Sequence, residues 1–237
     1  MQLFYSPNIS STTQEFTFSR EESKHIVRVL RKKEGDVVHI TDGLGYRYDG
    51  IITAANHNKC AVNITTSSYQ ESMPYKLHMA VAPTKNTDRF EWFLEKATEI
   101  GISEITPILC DHSERKVIKQ ERLEKIIQSA MKQSLQTHLP KLNELTPFDQ
   151  FIVQLEEFEG QKCIAHCEDD AKSSLKNLGA AVNDVVILIG PEGDFSKKEI
   201  SIALENKYLA ITLGKNRLRT ETAALTACQW VSFLNKH

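Results

Sequence analysis

Short apolar runs alternate with longer amphipathic segments over most of the chain after residue 75. Apolar, β-branched runs predict buried strands, and apolar positions repeating about every three to four residues predict helices. Strands that alternate with helices indicate an α/β fold with a mainly parallel sheet covered on both faces. The predicted strands are residues 77–82, 105–109, 162–166, 185–189 and 209–213, and the predicted helices are residues 87–100, 119–137, 173–178, 197–207 and 221–235.

The first part of the chain has a different pattern. Ser19 and Glu22 have the spacing of a capping box, which predicts a helix whose apolar positions are 26, 27, 29 and 30. Short strands separated by Asp-Gly and Asn-rich turns are expected at residues 37–41, 46–53 and 60–65. A polar segment then breaks the pattern. We therefore predict two domains: a small β-barrel at residues 1–72 and the α/β domain at residues 73–237.

The loop after the strand at residues 185–189 contains Gly190, Glu192 and Gly193. The two glycines allow the backbone to wrap closely around a ligand, and the glutamate can accept hydrogen bonds. Ser196 and Glu199 have capping-box spacing and predict that a helix begins directly afterwards.

A second loop of this kind follows the strand at residues 209–213. Gly214 permits a sharp turn, and Arg217 and Arg219 place fixed positive charge just before the predicted C-terminal helix. Thr220 and Thr222 can cap that helix, whose N-terminus attracts anionic groups. An ordinary strand–helix loop with surface arginines would have the same composition.

Both loops follow strands of one parallel sheet, so both belong to its carboxyl edge. Ligands of open α/β sheets bind at that edge. Neither loop has the spacing of a dinucleotide fingerprint or a P-loop. We expect the two strands to be neighbours and the two loops to form one pocket.

Composition and charge exclude several classes. The 237 residues contain 41% hydrophobic and 25% charged residues, as in globular proteins, and have a net charge of −2. Two stretches are nevertheless basic, with six Lys/Arg against two Glu in residues 20–33 and seven against three in residues 113–141. Such stretches can hold a phosphate backbone, although solvated helix faces have the same composition. The apolar runs are too short to span a membrane, and the first residues do not resemble a signal peptide, so we expect a cytoplasmic protein.

The five cysteines fit reduced thiols better than a disulfide framework, because their number is odd and most lie in apolar runs. Cys163, His166 and Cys167 form one cluster of residue types that bind metals. Their spacing is not typical of zinc sites, and a metal is not predicted.

The two loops together, IGPEGDFS at residues 189–196 and LGKNRLRTETA at residues 213–223, resemble a known family. They are similar to the bacterial methyltransferases that make N3-methyluridine in 16S ribosomal RNA, members of the knotted SPOUT superfamily. Two segments depart from the usual pattern: Gly193-Asp194 stands where the family has Gly-Gly, and Asn216-Arg217-Leu218-Arg219 stands where it has Arg-Ile-Leu-Arg. Further matching segments are residues 25–31 with Gly35-Asp36, residues 85–92 and 96–101, and residues 132–134 with Pro140.

This resemblance implies an RNA methyltransferase that uses S-adenosyl-L-methionine. It also implies a PUA-like RNA-binding barrel before a knotted SPOUT domain, and a homodimer that acts on 16S ribosomal RNA, within a small-subunit particle. The cofactor-binding residues that it indicates are His166, Leu188, Ile189, Gly190, Glu192, Gly193, Leu213, Gly214, Arg217, Leu218, Thr220, Thr222 and Ala223.

Arg219 and Glu221 are the predicted catalytic residues. Arg219 would hold a phosphate or stabilise negative charge on uridine, whereas it is a poor base because it stays protonated. Glu221, or a water that it orients, would accept the N3 proton, but a carboxylate in the first turn of a helix is also favoured by the helix dipole alone.

The predicted RNA-binding residues are His25, Arg28, Arg31, Lys85 and Arg89. A half-buried helix histidine is the alternative for His25, and a surface pair at a helix N-terminus is the alternative for Lys85 and Arg89. Two other functions also stay open: an RNA-binding factor without catalysis, and a knotted methyltransferase that acts on transfer RNA or on a ribose 2′-hydroxyl.

Overall fold

A computed structural model of the protein describes residues 2–168, 172–174 and 184–235. Contacts within the chain divide it into two compact units. The first comprises Met1–Ser72 and Met131–Leu139, and the second comprises Met73–Ala130 and Pro140–His237. The domain limits at residues 72 and 73 stay a prediction. The structure adds that Met131–Leu139 belongs to the first unit.

The first unit is built on a curled sheet in the order β1-β3-β4-β5-β2. Strands β1 and β3 are parallel, and the other pairs are antiparallel. Its core is formed by alternating apolar side chains, among them Phe4, Ile40, Tyr48 and Val62, which are almost completely buried. The strands are β1 (Leu3–Tyr5), β2 (Glu15–Thr17), β3 (Val37–Thr41), β4 (Tyr46–Ala54) and β5 (Ala61–Tyr69).

The predicted N-terminal helix is interrupted. Helix α1 (Arg20–Lys24) begins at Ser19, whose hydroxyl accepts a hydrogen bond from the Glu22 N–H at 3.2 Å. It continues as a π-helical turn, His25–Val29. Because a π turn contains more residues than an α turn, the apolar face predicted from α-helical spacing is shifted, and Val29 is 64% exposed. Val29, one of the apolar positions of the predicted helix, therefore does not lie on its buried face.

Residues 134–139, which follow helix α3 (Gln120–Gln133), are joined to the first unit by backbone hydrogen bonds. The Gly45 N–H donates to the Thr137 carbonyl at 3.0 Å, and the Leu139 N–H donates to the Gly43 carbonyl at 2.8 Å. Leu135 has a positive φ of 59°, which is incompatible with a helix. The predicted helix at residues 119–137 consequently ends at Gln133.

The second unit contains a sheet whose order, within the described residues, is β11-β13-β10-β12-β6-β7-β8, with β9 paired to β7. All of its described pairs are parallel. The predicted fold class, a mainly parallel α/β sheet with a small β-rich N-terminal domain, is thus confirmed. The strands are β6 (Lys76–Val81), β7 (Glu104–Leu109), β8 (Lys141–Leu142), β9 (Thr146–Pro147), β10 (Gln161–Ala165), β11 (Ser173–Ser174), β12 (Asp184–Ile189) and β13 (Leu209–Thr212).

Four of the five predicted helices are present in the structure. The remaining predicted helix, at residues 173–178, is contradicted at its start, because Ser173–Ser174 forms strand β11. Residues 175–178 lie outside the described residues. Helix α4 was not predicted. The helices are α2 (Thr87–Ile100), α3 (Gln120–Gln133), α4 (Phe148–Gln154), α5 (Lys197–Glu205) and α6 (Thr220–Asn235).

Strand β12 lies at the centre of the sheet and is apolar on both faces. Val186 and Leu188 are fully buried in one cluster with Phe148, Phe151 and Ile200. Burial on both faces explains why this strand is an unbroken apolar run. None of the helices in the described part of the chain is long and apolar enough to cross a membrane.

Candidate active site

The loop after β10 joins the two predicted loops at the carboxyl edge of the sheet. Ala165 at the end of β10 is in register with Ile189 at the end of β12 and with Ile211 in β13. The expectation that β12 and β13 are neighbours was therefore wrong, because β10 lies between them. Residues 166–168 (the β10 loop) consequently lie between residues 190–195 (the β12 loop) and residues 213–219 (the β13 loop).

A cavity of about 520 Å³ opens between the β10 and β13 loops. This volume lies within the range of small-molecule sites. Six of the predicted cofactor-binding residues line it: His166, Leu213, Gly214, Arg217, Leu218 and Ala223. Seven further lining residues were not predicted: Ala165, Cys167, Lys172, Ile211, Thr212, Lys215 and Asn216.

The β13 loop lines one side of this cavity. Gly214 has a φ of 141°, which L-residues rarely adopt, and the space around its Cα is open. The side chains of Lys215, Asn216 and Arg217 are exposed, and Leu213 and Leu218 are half-buried. This wall of the cavity thus combines open space at Gly214 with the apolar side chains of Leu213 and Leu218.

The β12 loop is held by hydrogen bonds from other elements. Glu192 accepts a hydrogen bond from the Lys85 N–H at 2.9 Å. The Gly190 carbonyl accepts one from the Thr220 hydroxyl at 3.1 Å, so Thr220 joins the loop to the start of α6. A Cβ on Gly190 would lie 3.1 Å from the Phe195 nitrogen, closer than nine in ten real Cβ contacts. Glu192 thus accepts a hydrogen bond from the segment that follows β6, and this bond joins that segment to the β12 loop.

Residues 110–119, which follow β7, also contribute to this edge. His112 Nδ1 is 3.1 Å from the carbonyl oxygens of both Gly193 and Asp194. The Asp111 N–H donates to the buried Glu199 carboxylate at 2.9 Å. The Arg115 guanidinium donates to the Lys85 carbonyl at 2.6 Å. Sequence reasoning missed these residues, although their position directly after a predicted strand could have indicated them.

The two predicted catalytic residues lie at the start of α6. The Arg219 side chain is exposed, whereas Glu221 is only 8% exposed. Arg89 Nε is 3.8 Å from Glu221 Oε1, so the predicted RNA-binding arginine forms an ion pair with the predicted proton acceptor.

Comparison with known proteins decides the family. A model described as an RNA methyltransferase domain matches residues 71–232, and an RNA methyltransferase PUA domain matches residues 18–65. The chain belongs to the RNA methyltransferase family. Its predicted family and enzyme class are thereby confirmed.

Individual members of this RNA methyltransferase family are similar along nearly the whole chain. The ribosomal RNA small subunit methyltransferase E of Bacillus subtilis is 28% identical over 92% of this chain and 90% of its own length. A probable rRNA-methyltransferase of Porphyromonas gingivalis has a TM-score of 0.91 at 38% identity, covering 99% and 98% of the two chains. The small subunit methyltransferase E of Neisseria gonorrhoeae, bound to S-adenosyl methionine, has a TM-score of 0.85 at 25% identity, covering 96% and 95%.

Some residues predicted for the methyltransferase pocket lie away from the cavity. Leu188 and Ile189 are buried in β12, and Leu188 packs in the hydrophobic core. Gly193 lies against His112, whose Cβ would be 3.0 Å from a Cβ placed on Gly193. Thr222 lines a separate apolar groove along α6.

The predicted RNA-binding residues of the methyltransferase fall into two groups. In the first unit, His25 is half-buried and bonded to Gln2, whereas Arg28 and Arg31 are exposed around the π-helical turn. In the second unit, Lys85 forms a 2.7 Å ion pair with Glu114, and Arg89 faces Glu221 as described.

The cysteines show no disulfides, and Cys167 is the exposed one among the five. Burial raises the pKa of the Cys163 thiol to about 12. For Cys167, burial and then the nearby Asp194 carboxylate raise the pKa above its ordinary value. No group of His, Cys, Asp and Glu among the described residues could hold a metal ion.

Proposed function

We propose that this methyltransferase transfers a methyl group from S-adenosyl-L-methionine to N3 of a uridine in 16S ribosomal RNA. The observation that carries the proposal is the cavity of about 520 Å³ bounded by the β10 and β13 loops. It is supported by relatives named ribosomal RNA small subunit methyltransferase E, one of them crystallised with S-adenosyl methionine.

The residues around the cavity fit an adenosyl group. Leu213 and Leu218 supply apolar surface for the adenine ring, and the open space beside Gly214 lets a ligand approach the chain closely. When bound, the cofactor supplies an electrophilic methyl group. The task of the protein is to hold that group in line with the acceptor nitrogen.

Arg219 and Glu221 would act on the acceptor uridine. The N3–H proton must leave as the new N–C bond forms, so negative charge develops on the base. The exposed Arg219 guanidinium can stabilise that charge, and Glu221, or a water that it orients, can accept the proton. Arg89, 3.8 Å from Glu221, would keep that carboxylate oriented in the first turn of α6.

RNA binding would involve exposed arginines of the first unit. Arg28 and Arg31 are exposed beside a π-helical turn, a local structure that is frequent at functional sites. His25 would contribute less, because its ring is half-buried and already bonded to Gln2.

The first test separates an enzyme from a binding factor. Titration calorimetry with S-adenosyl-L-methionine should show one saturable site on the purified protein, and the absence of heat would favour an RNA-binding factor without catalysis. Mass spectrometry of the ribosomal and transfer RNA of a deletion strain should then show one N3-methyluridine lost from the small-subunit RNA. Loss of a transfer RNA methylation or of a ribose 2′-O-methyl group instead would assign a different acceptor.

The second test concerns the RNA-binding surface. The double variant Arg28→Ala/Arg31→Ala removes two exposed charges, so the slope of log affinity against log salt should fall by roughly one to two. The exposed Lys59, on the same unit but outside the basic stretch, provides the control variant Lys59→Ala. Unchanged affinity and slope in the double variant would remove these arginines from the interface.

We also propose that the protein is a homodimer. A groove on α6 exposes apolar side chains, with Phe233 57% exposed, and uncovered surfaces of this kind mark interaction sites. A second copy would cover it, as the superfamily resemblance implies. Sedimentation should give a dimer for the natural chain and a monomer for Phe233→Glu. A monomeric natural chain would contradict the proposal.

The substrate would be a small-subunit particle in the cytoplasm, where ribosomes assemble. Methylation of naked 16S RNA and of assembled subunits can be compared with the same enzyme. We expect faster methylation of the particle, and equal rates would show that the RNA alone suffices.

A further inference from the structure

Asp194 has a backbone conformation that is unusual for its residue type. Its φ is 64°, in the left-handed region that glycine adopts without cost and aspartate tolerates better than most residues. Its N–H donates to the Pro191 carbonyl at 2.9 Å and closes a tight turn. Asp194 also stands where the resembling methyltransferases have a second glycine. The left-handed conformation explains why those proteins have glycine at this position. It does not explain why this chain has a carboxylate there.

The carboxylate of Asp194 makes two short hydrogen bonds. Oδ2 accepts from the Cys167 N–H at 2.7 Å, and Oδ1 accepts from the Phe195 N–H at 2.9 Å. The first bond connects two different loops, because Cys167 lies in the β10 loop and Asp194 in the β12 loop. Hydrogen bonds to a charged acceptor are stronger than those between neutral groups.

The backbone of Asp194 connects a third segment. His112 Nδ1, from the segment after β7, lies 3.1 Å from the Asp194 carbonyl oxygen. One residue therefore joins the segments that follow three separate strands, β7, β10 and β12. A glycine at this position could keep the bond to His112 but could not bond to Cys167.

Cys167 lies in the wall of the candidate cofactor cavity, together with Ala165 and His166. The bond from Asp194 fixes the backbone of this wall, whereas the opposite wall is the exposed β13 loop. A fixed wall lowers the entropy lost when a ligand binds.

We propose that Asp194 is a positioning residue that holds the β10 loop in the conformation that receives S-adenosyl-L-methionine. It acts through Cys167 and touches neither cofactor nor RNA. The proposal rests on the proposed function, since it concerns the same cavity.

The test compares Asp194→Gly and Asp194→Asn with the natural protein. Glycine relieves the strained φ and removes the carboxylate, so thermal unfolding should change little. Calorimetry should nevertheless show about a tenfold weaker affinity for S-adenosyl-L-methionine in Asp194→Gly, as expected for loss of a hydrogen bond to a charged group. Asparagine tolerates the same φ and keeps one acceptor oxygen. The affinity of Asp194→Asn for S-adenosyl-L-methionine should therefore lie between those of Asp194→Gly and the natural protein. Hydrogen exchange of the Cys167 amide in the cofactor-free protein should be faster in Asp194→Gly.

The possible outcomes are distinguishable. Unchanged affinity in Asp194→Gly would overturn the role of Asp194 and leave the proposed function intact. A parallel fall in thermal stability and in affinity, without partial rescue by asparagine, would also overturn it, because Asp194 would then serve folding alone. If the natural protein does not bind S-adenosyl-L-methionine, the proposed function and this inference fail together.

Discussion

The β12 and β13 loops both contain glycine and both follow buried strands, yet they are held very differently. The β12 loop is bonded to Lys85, His112 and Thr220, which belong to three other parts of the second unit. Within the described residues, the hydrogen bonds of the β13 loop are local. They join Gly214 to Thr212, and the Arg219 carbonyl to the Ala223 N–H.

This difference indicates that the two loops have different roles in ligand binding. The β12 loop is a preformed part of the site, because its conformation is fixed without ligand. The β13 loop exposes its side chains beside the cavity and can acquire its contacts from cofactor and RNA. Ordering such a loop costs conformational entropy when the ligand binds, so changes there should affect binding and turnover more than folding.

The largest effect is expected at the end of the β13 loop. Arg219→Ala should lower turnover by about a hundred- to a thousandfold, as when one stabilising donor is removed from a developing charge. Calorimetry with S-adenosyl-L-methionine should show nearly natural affinity, and Arg219→Lys should retain part of the activity. A methylation rate equal to that of the natural enzyme would exclude Arg219 from the mechanism.

Alanine at each loop glycine tests the comparison directly. Gly190→Ala brings a Cβ within 3.1 Å of the Phe195 nitrogen, so the fixed β12 loop must shift. We expect a loss of about 1–3 kcal/mol of unfolding free energy, measured by urea denaturation. At Gly214 an added Cβ would meet no atom within 4 Å, but the φ of 141° disfavours alanine at this position. Gly214→Ala should weaken cofactor binding with a smaller loss of stability. A larger loss of stability in Gly214→Ala, or a larger loss of cofactor affinity in Gly190→Ala, would contradict the inferred difference between the two loops.

A smaller effect is expected from Glu192, which bonds to the Lys85 N–H. Glu192→Ala should cost about 0.5–1.5 kcal/mol of unfolding free energy, the usual net value of one hydrogen bond. Glu192→Gln keeps an acceptor oxygen and serves as the matched control. If alanine and glutamine have equal stability, the bond does not hold the β12 loop.

The last prediction concerns the rate at which the thiol of Cys167, in the β10 loop, is alkylated. Burial, and then the Asp194 carboxylate, raise the pKa of its thiol above the ordinary value of 9.0. The thiolate fraction at neutral pH is therefore lower than for a free cysteine, and alkylation by iodoacetamide should keep accelerating above pH 9. S-adenosyl-L-methionine should slow it, and Cys167→Ser should abolish it. An alkylation rate that levels off below pH 9 would contradict the raised pKa.

Local sequence determined much of the second unit. Its five predicted strands and four of its helices are present, since their apolar patterns and caps depend on residues close together in the chain. At Ser196, for example, both hydrogen bonds of the predicted capping box with Glu199 are formed. The motifs at residues 189–196 and 213–223 together, with the further matching segments, indicated the family.

Tertiary structure decided the order and the partners of these elements. The sequence could not show that β10 separates β12 from β13, because parallel strands can be inserted at any position in a sheet with little change in their patterns. Nor could it show the bond from Asp194 to Cys167, which joins residues far apart in sequence. Residues 131–139 belong to the first unit for the same reason: their bonding partners near Gly43 and Gly45 lie almost a hundred residues earlier in the chain.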